Sequence, residues 1–187
     1  MSAQEKQKSH ERILKAASRL FRERGIETTS VADVMKAAGL THGGFYRHFA
    51  SKDALVAAAF RHAVDEVLSV VEAAPAGPEQ AAARDHYVTR YLSAEHVEDR
   101  SEGCPLAAMG AEIARLDGAA DAEALYAVER MARLLTAGER GATDKGVATM
   151  ALLLGTITLA RLAKSRELSD TILDAGKRGT ALLDQRW

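Results

Sequence analysis

The chain has 187 residues, of which 47% are hydrophobic and 27% are charged. This composition is too apolar for a disordered chain, and its single cysteine excludes an intramolecular disulfide framework. The first residues lack the apolar core of a signal peptide, and the longest apolar stretch, residues 147–160, is too short to cross a bilayer. We therefore expect a cytoplasmic protein that does not span a membrane.

Charge is distributed unevenly along the chain, although the formal net charge is only −1. Residues 1–62 carry 11 Lys and Arg against 6 Asp and Glu, a balance of +5. Residues 63–187 carry 14 against 20, a balance of −6. A basic head on an acidic body is typical of a polyanion-binding module joined to another domain. On charge alone, an uneven surface without a nucleic-acid partner remains an equal alternative.

Apolar residues recur at helical spacing along the whole chain, so the predicted fold class is all-α. The first helix carries Ile13 and Phe21 on one face and ends at Gly25, which suits a C-cap. Ser30 is placed to cap a short second helix, and Asp33 completes an approximate capping box with it.

A tight turn follows the second helix, because Gly39 adopts a positive φ without steric cost. Thr41 is expected to cap a third helix that turns Phe45 and Phe49 toward the core. A fourth helix is predicted over 51–73, and it breaks at a sequence containing two prolines and a glycine.

The rest of the chain is predicted to be helical apart from the polar, acidic segment 95–103, which is typical of a loop. The later helices are expected near 79–94, 105–117, 119–138, 143–164 and 167–184.

Two short helices joined by a glycine turn form a helix-turn-helix, which presents its second helix to the DNA major groove. Five residues are expected on the outward face of that helix: His42, Gly43, Gly44, Tyr46 and Arg47. Each glycine costs a helix about 1 kcal/mol relative to alanine, which favours a function in close approach of the backbone to DNA. The alternative is that the glycine pair only forms a loop.

Residues 9–60 resemble the DNA-binding domain of the TetR/AcrR family of bacterial transcriptional repressors. The resemblance depends on ordered motifs: Ile13-Leu14-x-Ala16-Ala17-x-x-Leu20-Phe21, Gly25, Thr29-Ser30-Val31-x-x-Val34, Ala38-Gly39-Leu40, Gly43-x-Phe45-Tyr46-x-His48-Phe49 and Lys52-x-x-Leu55. It implies a helix-turn-helix domain over 1–50 and an effector-binding and dimerisation domain over 51–187. It also implies a homodimer that binds a double-stranded, palindromic operator and releases it when a small molecule binds.

The resemblance also implies the positions that contact DNA. Thr29 or Ser30, Tyr46, His48 and Lys52 would contact the phosphate backbone. Thr41, His42, Gly43, Gly44 and Arg47 would lie at or near base edges. The family commonly has larger polar side chains at the two glycine positions, so DNA shape is expected to contribute to sequence preference.

Cys104 precedes Pro105, which suits the first position of a helix, and Gly103-Cys104-Pro105 is similar to a C-terminal subgroup of the family. A thiol at a helix N-terminus is favoured as thiolate, so Cys104 is a candidate sensor of electrophiles or oxidants. The alternative is a small hydrophobic residue that packs at the helix start.

A candidate effector pocket is predicted from aromatic and methionine residues of the C-terminal helices, a lining that suits a small apolar or aromatic ligand. Each of these residues is equally well explained as part of the core. The candidates are Tyr87, Tyr91, Cys104, Met109, Tyr126 and Met131.

The last two helices each have an apolar face, which predicts a four-helix dimer interface. The candidate interface residues are Leu152, Gly155, Leu159, Leu162 and Ile172.

Other functional classes are less well supported by the sequence. The six histidines have no zinc-ligand spacing, and no catalytic or phosphate-binding motif is present, so we expect no enzyme activity, metal or cofactor. A helical interaction protein that does not bind DNA is the main alternative. Activation of transcription instead of repression is also consistent with the sequence.

Overall fold

A computed structural model describes residues 2–116, 118–136 and 144–186. Within these ranges the chain is helical and contains no strand, which confirms the predicted all-α class. The elements in chain order are α1 (Ala3–Arg24), α2 (Val31–Ala37), a 3₁₀ helix (His42–Arg47), α3 (Lys52–Glu72), α4 (Pro78–Tyr91), α5 (Ala94–Glu98), α6 (Pro105–Ile113), α7 (Ala119–Leu135), α8 (Asp144–Leu162) and α9 (Arg166–Arg186).

Two predictions about individual elements are wrong. The segment 95–103 was expected to be a loop, but α5 occupies its first part because the Ser93 hydroxyl accepts a hydrogen bond from the His96 amide and caps a helical turn. The third helix of the head is a 3₁₀ helix and not an α-helix. Among the described residues, its N-cap Thr41 makes no side-chain hydrogen bond to the helix start.

The chain forms two compact units. The head unit comprises residues 1–66 and 101–125, and the body unit comprises 67–100 and 126–187. The head unit therefore contains α6 in addition to the helix-turn-helix, because α6 packs on α1. The sequence predicts a functional boundary between residues 50 and 51, which does not coincide with the boundary of these compact units. That functional boundary stays a prediction.

Each unit has its own set of fully buried side chains. In the head unit these are Ile13, Phe21, Met35, Phe45, Leu55, Phe60, Met109 and Ile113. In the body unit they are Leu92, Met131, Leu135 and Leu153. The burial of Phe45 confirms that this side of the 3₁₀ helix faces the core.

Among the described helices, α8 is the one that is long and apolar enough to cross a membrane, by length and composition only. Of its most apolar window, 39% is buried inside the protein. Its buried side packs closely on α9 in the body unit. A core helix of this kind passes the same length and composition test, so α8 is weak evidence for a membrane span.

Candidate nucleic-acid interface

The recognition segment, residues 41–49, separates buried and exposed side chains sharply. Phe45 is 1% exposed and Phe49 is 6% exposed, and their rings stack 5.9 Å apart. Tyr46 packs edge-on against Phe45, yet it is 74% exposed. Two anchoring rings thus hold the segment while a third aromatic side chain projects into solvent.

The residues predicted to lie near base edges are neighbours of Tyr46 in the recognition segment. Thr41, His42, Gly43 and Arg47 are exposed, and Gly44 is half-buried. This surface has one basic side chain, Arg47, and no acidic one within the segment. An aromatic ring, a guanidinium and backbone N–H groups at the two glycines are thus accessible on one surface, which suits a polyanionic partner.

The two glycines of the segment are not required by the free protein. Neither has a positive φ. A Cβ added at Gly43 would meet no described atom within 4 Å, and one added at Gly44 would make ordinary contact with Met35 at 3.6 Å. A requirement for glycine at these positions would therefore come from a partner and not from the fold.

The predicted phosphate-contacting pair at the start of α2 divides into a buried and an exposed residue. Thr29 is 1% exposed, and its hydroxyl donates to the Gly25 carbonyl at 2.7 Å. Ser30 is exposed and forms the predicted capping box with Asp33. The hydrogen bond from the Ser30 hydroxyl holds the pKa of Asp33 below its ordinary value.

Lys52 is engaged within the protein. Its ammonium donates to the Ile26 carbonyl at 2.7 Å, and the residue is half-buried. The family resemblance implies that Lys52 contacts a DNA phosphate. A lysine is unfavourable at a helix N-terminus, and the hydrogen bond to Ile26 offsets this placement without any ligand.

His48 lies half-buried at the end of the recognition segment. Burial lowers its pKa, and the positive charges of His10, Lys6 and Arg47 act in the same direction. His10 approaches His48 with ring centroids 5.9 Å apart and stacks on Phe49 at 4.7 Å. The neutral ring is therefore favoured until an anion approaches.

Arg12 is a functional candidate that the sequence analysis missed. Its guanidinium donates to the Ala38 carbonyl and, at 3.1 Å, to the Gly39 carbonyl. These bonds satisfy carbonyls at the end of α2 and fix the turn before the recognition segment. An arginine 26 residues from its partner has no periodic signal that would reveal this contact.

The predicted effector-pocket residues fall in both units. Cys104 and Met109 belong to the head unit and are buried, Cys104 as the N-cap of α6 with Pro105 at its first turn. The other four candidates belong to the body unit: Tyr87, Tyr91, Tyr126 and Met131. Tyr91 and Met131 are buried, whereas Tyr126 is 42% exposed beneath the Arg130 guanidinium.

The body unit contains a cavity of about 180 Å³ that sequence reasoning missed. Its lining is more polar than expected and includes none of the six predicted residues. The lining residues are Arg84, Asp85, Val88, Thr89, Leu135, Thr149, Thr180, Ala181 and Asp184. Thr149 is 6% exposed, and its hydroxyl has no hydrogen-bond partner among the described residues.

Charged groups at this cavity are paired with one another. The Asp184 carboxylate lies 3.7 Å from Arg84 and 3.1 Å from Lys145. Arg84 also binds Asp85 at 2.9 Å. Among the described residues, no group of three His, Cys, Asp or Glu side chains is placed to hold a metal ion.

The predicted interface residues lie on α8 and α9. Leu159 and Leu162 are 56% and 72% exposed, Leu152 and Ile172 are half-buried, and Gly155 has no described neighbour within 4 Å of an added Cβ. The remaining large exposed hydrophobic residues of these two helices are Val147, Leu168 and Leu182. Together they leave an apolar surface on this helix pair.

Residues 13–59 match the family model described as bacterial regulatory proteins, tetR family. Over 52 residues the chain is 44% identical to the transcriptional regulator AcrR of Shigella flexneri, covering 28% of this chain and 24% of that protein. Over 55 residues it is 40% identical to the transcriptional repressor KstR2 of Rhodococcus jostii, covering 29% and 27%. The match thus spans about a quarter of these curated relatives.

Solved structures extend the similarity to the whole fold. A TetR transcriptional regulator from Chloroflexus aurantiacus is 24% identical with a TM-score of 0.77, covering 98% of this chain and 97% of that one. The reduced form of NemR from E. coli is 18% identical with a TM-score of 0.67, covering 91% and 95%. The relatives named as regulators are not enzymes, which agrees with the expected absence of enzyme activity.

Proposed function

Since the chain belongs to the TetR/AcrR family of bacterial regulators, we propose that it is a DNA-binding transcriptional regulator that acts as a homodimeric repressor. The observation that carries this proposal is the recognition segment, where Tyr46 and Arg47 are exposed on a base of buried aromatic rings. Repression is favoured over activation because relatives of the head are named repressors.

In this proposal the contacts to DNA divide by chemistry. Ser30, Tyr46 and His48 contact phosphates, and Thr41, His42 and Arg47 lie near base edges. Gly43 and Gly44 let the backbone approach the groove closely. Thr29 is buried and acts from inside the head, whereas the half-buried Lys52 is proposed to contact a phosphate beside its hydrogen bond to the Ile26 carbonyl.

The proposed dimer uses the apolar surface of α8 and α9. Leu159 and Leu162 would pack against the same helices of a second copy, forming a four-helix bundle. Two-fold symmetry would place the two recognition segments about 34–36 Å apart, one turn of DNA, on a palindromic operator.

The cavity of the body unit is the proposed effector site. Its volume of about 180 Å³ is below the roughly 300–1,000 Å³ of typical ligand pockets, so the effector would be small or would widen the site. The paired charges at Arg84 and Asp184 together with the Thr149 hydroxyl favour a ligand with polar groups. An effector that binds better to a form with low DNA affinity would release the operator by population shift.

We also propose that the protein is cytoplasmic and that modification of the Cys104 thiol is a second way to release DNA. Cys104 is 4% exposed, so an oxidant or electrophile must first open the start of α6. Replacing Cys104 with serine would abolish release of DNA by maleimides if the thiol is a sensor, and would leave it unchanged if the thiol only packs.

The test is fluorescence anisotropy with a labelled mixed-sequence duplex at several salt concentrations. The protein is expected to bind with an affinity that falls steeply as salt rises. Tyr46→Ala should weaken binding to all sequences with little change in the salt dependence, because the tyrosine side chain is uncharged. Tyr46→Phe, which keeps the ring, separates loss of the hydroxyl from loss of ring packing. Sedimentation equilibrium should give a dimer.

A protein that ignores duplex DNA in dilute buffer, while remaining a folded dimer, would favour the helical interaction protein over the regulator. If Tyr46→Ala altered only the sequence preference of DNA binding, the assignment of Tyr46 as a phosphate contact would be contradicted.

A further inference from the structure

The peptide of Ile26 is held from both sides by charged side chains. Its N–H donates to Glu112 Oε2 at 2.9 Å, and its carbonyl accepts from Lys52 Nζ at 2.7 Å. The N–H of Glu27 donates to the same Glu112 oxygen at 3.1 Å. One carboxylate of α6 thus binds two consecutive amides of the loop between α1 and α2.

The backbone at the end of α1 is shaped to receive this carboxylate. Gly25 has a φ of +94°, which turns the chain out of the helix. A Cβ at Gly25 would lie 2.9 Å from Glu112 Oε1, so a side chain there would collide with the carboxylate. Hydrogen bonds to an ionised acceptor are roughly twice as strong as neutral ones, and here two converge on a single oxygen.

The same loop leads directly to the DNA-facing surface. The Thr29 hydroxyl binds the Gly25 carbonyl at 2.7 Å, and Ser30 begins α2. All five loop residues before the exposed Ser30, 25–29, are therefore fixed by hydrogen bonds. The position of α2 on the head depends on this loop, and the recognition segment follows α2 after a short turn.

We propose that Glu112 is a positioning residue for DNA binding, which acts through the loop 25–30 and does not touch DNA. The inference depends on the proposed function and adds to it a residue that lies far outside the matched helix-turn-helix region, 13–59. Glu112 is half-buried, and its two amide partners are 86 and 85 residues away in sequence.

Electrostatics and positioning predict opposite results when Glu112 is replaced. Removing a negative charge from a DNA-binding head should strengthen attraction to a polyanion if charge alone mattered. Removing the acceptor of two loop amides should instead weaken binding, because the loop and α2 lose their fixed position.

The experiment measures binding of four proteins to a fluorescein-labelled, mixed-sequence duplex of 30 base pairs at low salt. Glu112→Ala is expected to bind about tenfold more weakly than wild type. Glu112→Gln keeps one acceptor oxygen for both amides and should bind within about threefold of wild type. The matched control, Glu102→Ala, removes another carboxylate of the head unit, which binds Arg19 of α1 at 3.0 Å, and should bind as well as wild type or better.

Wild-type affinity in Glu112→Ala would overturn the inference, and so would an equal loss in Glu112→Gln and Glu102→Ala, which would indicate general instability. If circular dichroism shows that Glu112→Ala is unfolded, Glu112→Asp replaces it, since it keeps the charge and withdraws the carboxylate by one methylene. Weaker binding of Glu112→Asp than of Glu112→Gln supports the inference, and wild-type binding contradicts it. Failure of the wild-type protein to bind the duplex would instead overturn the proposed function together with this inference.

Discussion

The contacts inside the head unit differ in kind from the contacts inside the body unit. Side chains of the head unit reach across long stretches of sequence to backbone groups, as when Arg22 binds the Gly103 carbonyl and Glu112 binds the Ile26 amide. In the body unit, glycines allow helices to approach closely, as at Gly146 against Ala132. Directional polar contacts fix orientation, which a DNA-reading surface needs, whereas close packing fixes distance.

The largest effect is expected from breaking the polar contacts of the head unit at Arg22. Its side chain is 1% exposed and donates to Gly103 at 3.0 Å, to the Ser18 hydroxyl at 2.8 Å and to Glu66 at 3.4 Å. Arg22→Met would leave the buried Gly103 carbonyl and Ser18 hydroxyl without their donor, so we expect a loss of about 1–3 kcal/mol in the free energy of unfolding for each of these two groups. Urea denaturation measures this loss.

The control for Arg22 is Arg24→Met in the same helix turn. The Arg24 side chain is 56% exposed and lies 4.0 Å from its ion-pair partner Glu23, so its replacement should change stability by no more than about 0.5 kcal/mol. Equal losses in the two variants would mean that directional contacts do not distinguish the head unit.

A smaller effect is expected from testing close packing in the body unit. A Cβ at Gly146 would lie 2.1 Å from the Ala132 carbonyl oxygen and 2.6 Å from Thr136 Cγ2. Because the first of these is backbone, α7 and α8 must move apart, and Gly146→Ala should cost about 1–3 kcal/mol in thermal or urea unfolding. Gly110→Ala, inside α6, meets no described atom within 4 Å and should be neutral or stabilising by up to about 1 kcal/mol. Stability unchanged by Gly146→Ala would show that α7 and α8 are not packed tightly.

The two kinds of contact also explain how much the sequence could predict. The α2 capping box needs only Ser30 and Asp33, three residues apart, and it forms as expected. The break before Pro78 and the burial of Phe45 follow equally from local patterns. Local chemistry therefore predicted most of the helices.

Contacts between distant residues had no local signal. Glu112 binds a loop 86 residues away, and neither its spacing nor its helix marks it as different from any exposed glutamate. The polar cavity was missed for the same reason, since Arg84, Thr149 and Asp184 come together only when three helices pack. Tyr126 does not line this cavity, because its ring is partly exposed beneath Arg130, and its place in an effector pocket stays a prediction.

The smallest expected effect concerns His96, a polar contact inside the body unit that runs against the general contrast. Its Nδ1 lies 2.7 Å from the Tyr91 carbonyl, and its ring packs edge-on against Tyr91 at 4.6 Å. Burial lowers the pKa of His96 and outweighs the hydrogen bond to the Tyr91 carbonyl, which raises it, while the charges of Arg161 and Arg90 act with burial. The neutral ring is thus the form that the folded protein prefers.

A histidine whose pKa is lowered by folding makes the unfolded state bind more protons, so stability falls as pH drops through the unfolded value of about 6.5. His96→Asn cannot titrate but keeps a donor for the Tyr91 carbonyl, so its unfolding free energy should fall less than that of wild type between pH 7.5 and 5.5. His86→Asn, at an exposed position on α4, should keep the wild-type slope. Equal slopes for wild type and His96→Asn would mean that this buried ring does not link folding to pH, and the body unit would then depend on packing more completely than the contact at Tyr91 suggests.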